Sequence, residues 1–73
     1  MGTSWTKEQI QALKKSVYAH REDPSLEEQL FGLNIHLSNH ARATLFHTKN
    51  DEWKVVERIA SEINEKLRSL QNS

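Results

Sequence analysis

Seventy-three residues leave room for one domain and no second. The chain has no cysteine, which excludes disulfides and cysteine zinc sites, so stability must come from regular packing around a small core. Ten Lys plus Arg balance ten Asp plus Glu, and this zero net charge argues against a nucleic-acid partner, which calls for a basic face, and against attraction to an anionic membrane surface.

No run is long and apolar enough to span a bilayer, and the start lacks the basic, apolar and cleavage regions of a signal peptide. Met1-Gly2-Thr3-Ser4 reads equally as a native or a vector-derived start, so an intracellular or recombinant setting is the default expectation. Two polar clusters, Arg21-Glu22-Asp23-Pro24-Ser25 and Thr48-Lys49-Asn50-Asp51, divide the remainder into three helical segments.

The first segment is expected over residues 6–20. Thr6 followed three residues later by Gln9 is a capping box, with Trp5 and Ile10 placed for a hydrophobic staple. Ile10, Leu13 and Val17 then repeat at three-and-four spacing, which makes one apolar stripe. The second segment is expected over residues 24–46. Either Asp23 caps it with Pro24 at the first helical position, or Ser25 caps it with Glu28 completing a box. Its seam is Leu26, Leu30, Leu33 and Leu37, continued by Ala41 and Thr44. The third segment is expected over residues 50–70, with Asp51 and Glu52 favourably placed near the positive end of the helix dipole. Trp53, Val56, Ile59, Ala60, Ile63, Leu67 and Leu70 form its stripe, and Glu62 with Lys66 is an ordinary surface pair at four spacing. No strand periodicity competes. Short connections force antiparallel neighbours, so the expected fold is an all-α, up-down-up three-helix bundle in a single domain.

The second segment departs from a plain bundle. Between Leu30 and Thr48 the only formally charged residue is Arg42. On a helical wheel at about 100° per residue, a seam turned inward leaves Phe31, Ile35 and Phe46 pointing outward. Asn39 and Arg42 lie between them, and Gly32 and Ala43 flank them. Apolar patches of this kind mark interaction sites, and interface cores are depleted in charge and enriched in aromatics and Arg. A mid-helix glycine costs about 0.8–1 kcal/mol relative to alanine, so Gly32 suggests a close approach by another molecule. Three readings of the face stay open: a heterologous protein partner, a homodimer that buries it, or a broad core face.

His36 and His40 stand four apart, a spacing that chelates one metal ion from one helix face. His47 falls on nearly the same face but roughly 10 Å further along the axis, too far to share an ion. His20 belongs to the other end of the bundle. A two-histidine site needs further ligands from another helix or a second chain. The alternative is histidines at the edge of the core, or His36 within a partner interface. Nothing else carries chemistry: there is no cysteine nucleophile, glycine-rich phosphate loop or serine elbow, and no cofactor is implied.

Two resemblances complete the reading. Trp5-Thr6-Lys7-Glu8-Gln9 with Leu13 and Val17 resembles the first helix of a Myb or SANT repeat over about fifteen residues. Trp53 and Ile59-Ala60 come too late in the chain for that family's second helix, and its basic recognition helix is missing, so DNA binding does not carry over. The doubled capping signals, the Asp-Pro-Ser-Leu-Glu-Glu helix start and the matched helices resemble computationally designed helical bundles. In such a protein Gly32, Asn34, Ser38, Asn39 and the outward phenylalanines break the local rules where function is imposed. The expectation is a non-enzymatic module, natural or engineered, that binds another protein through Phe31, Gly32, Ile35, His36, Asn39, Arg42, Ala43 and Phe46.

Overall fold

The computed structural model describes residues 5–20, 23–49 and 51–71. Three helices follow one another: α1 (Lys7–Ala19), α2 (Pro24–Leu45) and α3 (Glu52–Gln71). Each packs on the other two, α2 and α3 most extensively, and the result is an all-α three-helix bundle. No helix among the described residues is long and apolar enough to cross a membrane.

The helix ends form as their sequences dictate. At α1 the backbone N–H of Gln9 donates to Thr6 Oγ1 at 3.1 Å, and Gln9 Oε1 accepts from the Thr6 N–H at 2.9 Å, so the capping box is complete. At α2 the structure selects the first of the two candidate caps. Asp23 Oδ1 accepts from the Ser25 N–H at 2.9 Å and from the Ser25 hydroxyl at 2.8 Å, with Pro24 opening the helix. These two hydrogen bonds favour the charged form and hold the Asp23 carboxyl below the usual aspartate range, with a smaller contribution from Lys66. At α3 the Asp51 carbonyl accepts from the N–H groups of Lys54 and Val55. Arg21, Glu22, Asn50 and Met1–Ser4, which entered the turn, helix-start and chain-start expectations, lie outside the described residues.

The C-terminus of α2 closes with a left-handed residue. His47 has φ 56°, the Thr48 N–H donates to the Ala43 carbonyl at 2.9 Å, and the His47 N–H donates to the Thr44 carbonyl at 3.2 Å. This double bond pattern is a Schellman motif, whose left-handed position glycine normally fills. Nothing in the spacing of the sequence announces it, because histidine stands in the glycine's place.

Ile10, Leu13 and Val17 from α1, Leu26, Leu30 and Leu33 from α2, and Val56, Ala60, Ile63 and Leu67 from α3 make one buried cluster. Trp5, Leu37, Trp53 and Ile59 pack partly buried against it. Trp5 is tied to α3 as well: its backbone N–H donates to Glu57 Oε2 at 2.9 Å and its indole to Ser61 Oγ at 3.1 Å. The links between α2 and α3 run in opposite order along the two helices. Lys66 donates to Ser25 Oγ near the start of α2 at 2.6 Å, while His36 and His40 further along meet Glu52 and Trp53 at the start of α3.

Three sequence expectations need correction. The α2 seam does not continue inward to Ala41 and Thr44, which are exposed. The cause is a mismatch of length: α1 has 13 residues and α2 has 22, so the last turns of α2 outrun their cover. Thr44 Oγ1 donates back to the His40 carbonyl at 2.9 Å rather than meeting the core. Leu70 does not join the buried cluster and is 37% exposed. Among the described residues no ion pair joins Glu62 to Lys66, whose ammonium group goes to Ser25 instead. The buried Gln29 Oε1 has no hydrogen-bond partner, and nothing in the fold accounts for it.

Candidate functional site

Both phenylalanines of the chain lie outside the core. Phe31 and Phe46 are each 69% exposed, and Ile35 is 45% exposed. The face is not one flat strip. Phe31 and Ile35 sit one turn apart in the first half of α2. Phe46 follows the helix as its C-cap residue, at φ −94° and ψ 8°, where its N–H donates to the Arg42 carbonyl. Eleven residues separate Ile35 from Phe46, roughly 16 Å of helix at 1.5 Å per residue.

Each end of the face has its own surroundings. Phe31 shares a shallow depression of about 280 Å³ with Val17, Leu30 and Tyr18. Tyr18, half exposed on α1, extends this apolar end across to the neighbouring helix. Sequence reasoning missed it, although its place beside Val17 on the flank of the α1 stripe was the available signal. Phe46 borders a second depression of about 330 Å³ with Asn39, Arg42, Thr48 and Glu52. Asn39 is part-buried and Arg42 exposed, so both offer polar groups beside the aromatic ring.

Gly32 is part-buried in the middle of α2, and a Cβ built there meets nothing within 4 Å. The fold therefore gives no steric reason for the glycine. Ala43 is turned inward at 9% exposure, under the cap that brings Thr48 back to its carbonyl, and has little surface to offer a partner. His36 faces α3 rather than open solvent. Its Nδ1 donates to Glu52 Oε2, with both side chains part-buried. His40 lies against Trp53 with ring centroids 4.9 Å apart and planes at 44°, and its Nδ1 is buried without a partner. Both expected ligand histidines thus sit along the α2–α3 seam. The carboxylate beside His36, Glu52, is supplied by α3. No group of three or more His, Asp or Glu suited to a metal ion occurs among the described residues.

One further apolar exposure was not expected. Leu45, the most exposed of the large apolar side chains at 74%, lies not on the Phe31 face but at a groove between α1 and α2.

Fold and surface together define the chain as a small helical bundle with an aliphatic core and aromatic side chains displayed along one helix. No protein-family model matches it, and comparison with curated proteins and with solved structures returns no match.

Proposed function

We propose that this chain is a non-enzymatic protein-binding module that presents the outer face of α2 to a partner protein. Phe31 and Ile35, with Tyr18, form one apolar contact; Phe46 with Asn39 and Arg42 forms the other. The observation that carries the reading is the placement of the two phenylalanines: the buried cluster contains no aromatic residue, while both Phe rings are 69% exposed. Phe is among the residues most often buried, and its exposure in pairs along one charge-poor helix has no benefit for folding. Aromatic anchors flanked by an arginine match the composition of interface hot spots. Gly32, which nothing in the fold crowds, leaves space at the same face for a close approach. The contrast between well-capped helix ends and an irregular face fits an engineered binder, with α2 as its binding surface.

The test is a binding screen against an array of purified proteins, run with the wild type and with Phe31→Ala, Ile35→Ala and Phe46→Ala. A partner held by the wild type and lost by these variants, each still folded by circular dichroism, supports the reading. Its failure is a wild type that gains no partner sensitive to these positions. Solution mass across a concentration range separates the homodimer alternative: a dimer that Phe31→Ala dissolves means the face recognises its own copy.

A second reading rests on its own observation. Glu52 accepts from His36 Nδ1, and a carboxylate in that position fixes the ring so that Nε2 is the free ligand nitrogen, one turn from His40. Two imidazoles of one chain would hold a zinc ion whose remaining ligands come from water or from a second molecule. An ion that binds the folded state raises the melting temperature. If excess zinc gives no rise that His36→Ala abolishes, this reading is wrong.

A further inference from the structure

A groove of about 440 Å³ opens between α1 and the last turns of α2, within the size range of small-molecule sites. It lies where α1, the shorter helix, stops covering α2. Its floor is Ile10, which belongs to the buried cluster, and Trp53 of α3, which packs against it. Its far wall is Leu37, part-buried, and Leu45, 74% exposed. Its near rim carries Lys7 and Lys14, two turns apart on one face of α1, roughly 10 Å along the axis. Among the described residues neither lysine makes an ion pair. No acidic side chain lines the groove.

An apolar trough and two unneutralised cations along one edge make a specific combination in a chain of zero net charge. We propose that this groove binds an anionic amphiphile of the long-chain carboxylate class. The alkyl chain lies along Leu37 and Leu45 over Trp53, and the carboxylate meets the ammonium of Lys7 or Lys14. The apolar walls select for a chain, because an alkyl chain covers Leu45 and removes its surface from water. The lysines select for the head group: a carboxylate gains a charge-assisted hydrogen bond, whereas a cationic head group meets like charge. This site is separate from the Phe31 and Phe46 face and does not depend on the function proposed for it.

The probe is dodecanoate below its micelle-forming concentration, titrated into the full chain at neutral pH. Binding is read by calorimetry and by amide and indole NMR shifts. The expected result is saturable one-to-one binding, with shifts concentrated on the Trp53 indole and on residues 37–45. Lys7→Gln and Lys14→Gln each weaken it about twofold to fivefold. Leu45→Ala, at an exposed position where folding is insensitive, weakens it about tenfold. Phe31→Ala leaves it unchanged. The proposal is overturned by absence of saturation, by equal affinity for dodecyltrimethylammonium, by variants without effect, or by shifts that map to the Phe31 face. A wild type that is dimeric without the probe, and whose dimer Leu45→Ala dissolves, overturns it too, because a second copy then fills the groove.

Discussion

Replacing Gly32 by alanine tests both the helix and the face it serves. Glycine in a helix interior is less favourable than alanine by about 0.8–1 kcal/mol, because more backbone freedom is lost on folding. A Cβ at position 32 meets nothing within 4 Å, so the substitution meets no clash and gains no packing contact. The full propensity difference should therefore appear as added stability. For a domain of this size, 1 kcal/mol moves the melting temperature by about 4–8 °C, so Gly32→Ala is expected to melt about 3–8 °C higher by circular dichroism at 222 nm. A fall in melting temperature would refute the reasoning, since it would mean that the backbone at 32 is not regular helix or that something packs there. The same variant reports on function. If a partner's backbone approaches Gly32, the stabilised protein binds it more weakly; unchanged affinity places the contact at Phe31 and Ile35 without the glycine.

Four other predictions also concern folding stability. His47→Gly should stabilise the chain by about 0.5–1 kcal/mol, since a left-handed residue with a Cβ is strained by about 1–2 kcal/mol and the extra freedom of unfolded glycine returns part of that gain; His47→Ala should not stabilise, and an equal gain from both would trace the effect to the imidazole rather than the backbone. Leu33→Ala removes a side chain with no exposed surface and should cost about 2–5 kcal/mol, enough to unfold much of a marginal domain, whereas Phe31→Ala should change stability by no more than about 0.5 kcal/mol; a large loss from Phe31→Ala would mean the ring is core. Thr6→Ala removes the α1 cap and should cost about 0.5–2 kcal/mol in chemical denaturation, and no loss would mean the capping box is not formed in solution. The Asp23 carboxyl titrates lower when folded than when unfolded, so its contribution is fully present above the ordinary aspartate range and is lost as pH falls through the lower folded value. Asp23→Asn should therefore show a smaller acid-side fall in melting temperature than the wild type, and identical acid profiles would remove Asp23 from the account.

What could be read from the sequence, and what could not, divides along a physical line. Local signals were legible because they act over three or four residues. The Thr6–Gln9 box and the stripes Ile10-Leu13-Val17 and Val56-Ala60-Ile63-Leu67 each name their own geometry, while at α2 the sequence placed the start and left its cap open between Asp23 and Ser25. Terminal and lateral features were not. Where α1 stops covering α2 depends on the relative offset of two helices, which no single-helix periodicity encodes. For that reason Ala41 and Thr44 read as seam while standing exposed, and Ala43 read as flank while lying buried. The outward placement of Phe31, Ile35 and Phe46 was legible from the wheel, because the Leu26–Leu37 seam fixes which way the helix is turned. The partners of His36 and His40 were not, because Glu52 and Trp53 reach them from the start of another helix.

A core closed by aliphatic side chains explains why the aromatic surface can exist on so small a frame. A bundle of this length normally needs every large apolar side chain in its core. Here the three helices close an aliphatic core without phenylalanine, and Trp5 and Trp53 seal it at its edges. Trp5 is fastened to α3 by two hydrogen bonds, and Trp53 packs beside the His40 ring. With the core complete without them, the two Phe rings are spare, and keeping spare aromatic surface in water has a cost in solubility and self-association. That cost falls on one helix, between two charged ones, in the stretch where only Arg42 carries a formal charge. Charging that stretch tests the argument directly. Ile35→Lys and Phe46→Lys should preserve the fold and raise the concentration at which the protein begins to aggregate, because neither position contributes to the core. If either variant melts more than about 10 °C below the wild type, a loss of more than about 1.3–2.5 kcal/mol at this size, then the face holds the bundle together and is not free for a partner.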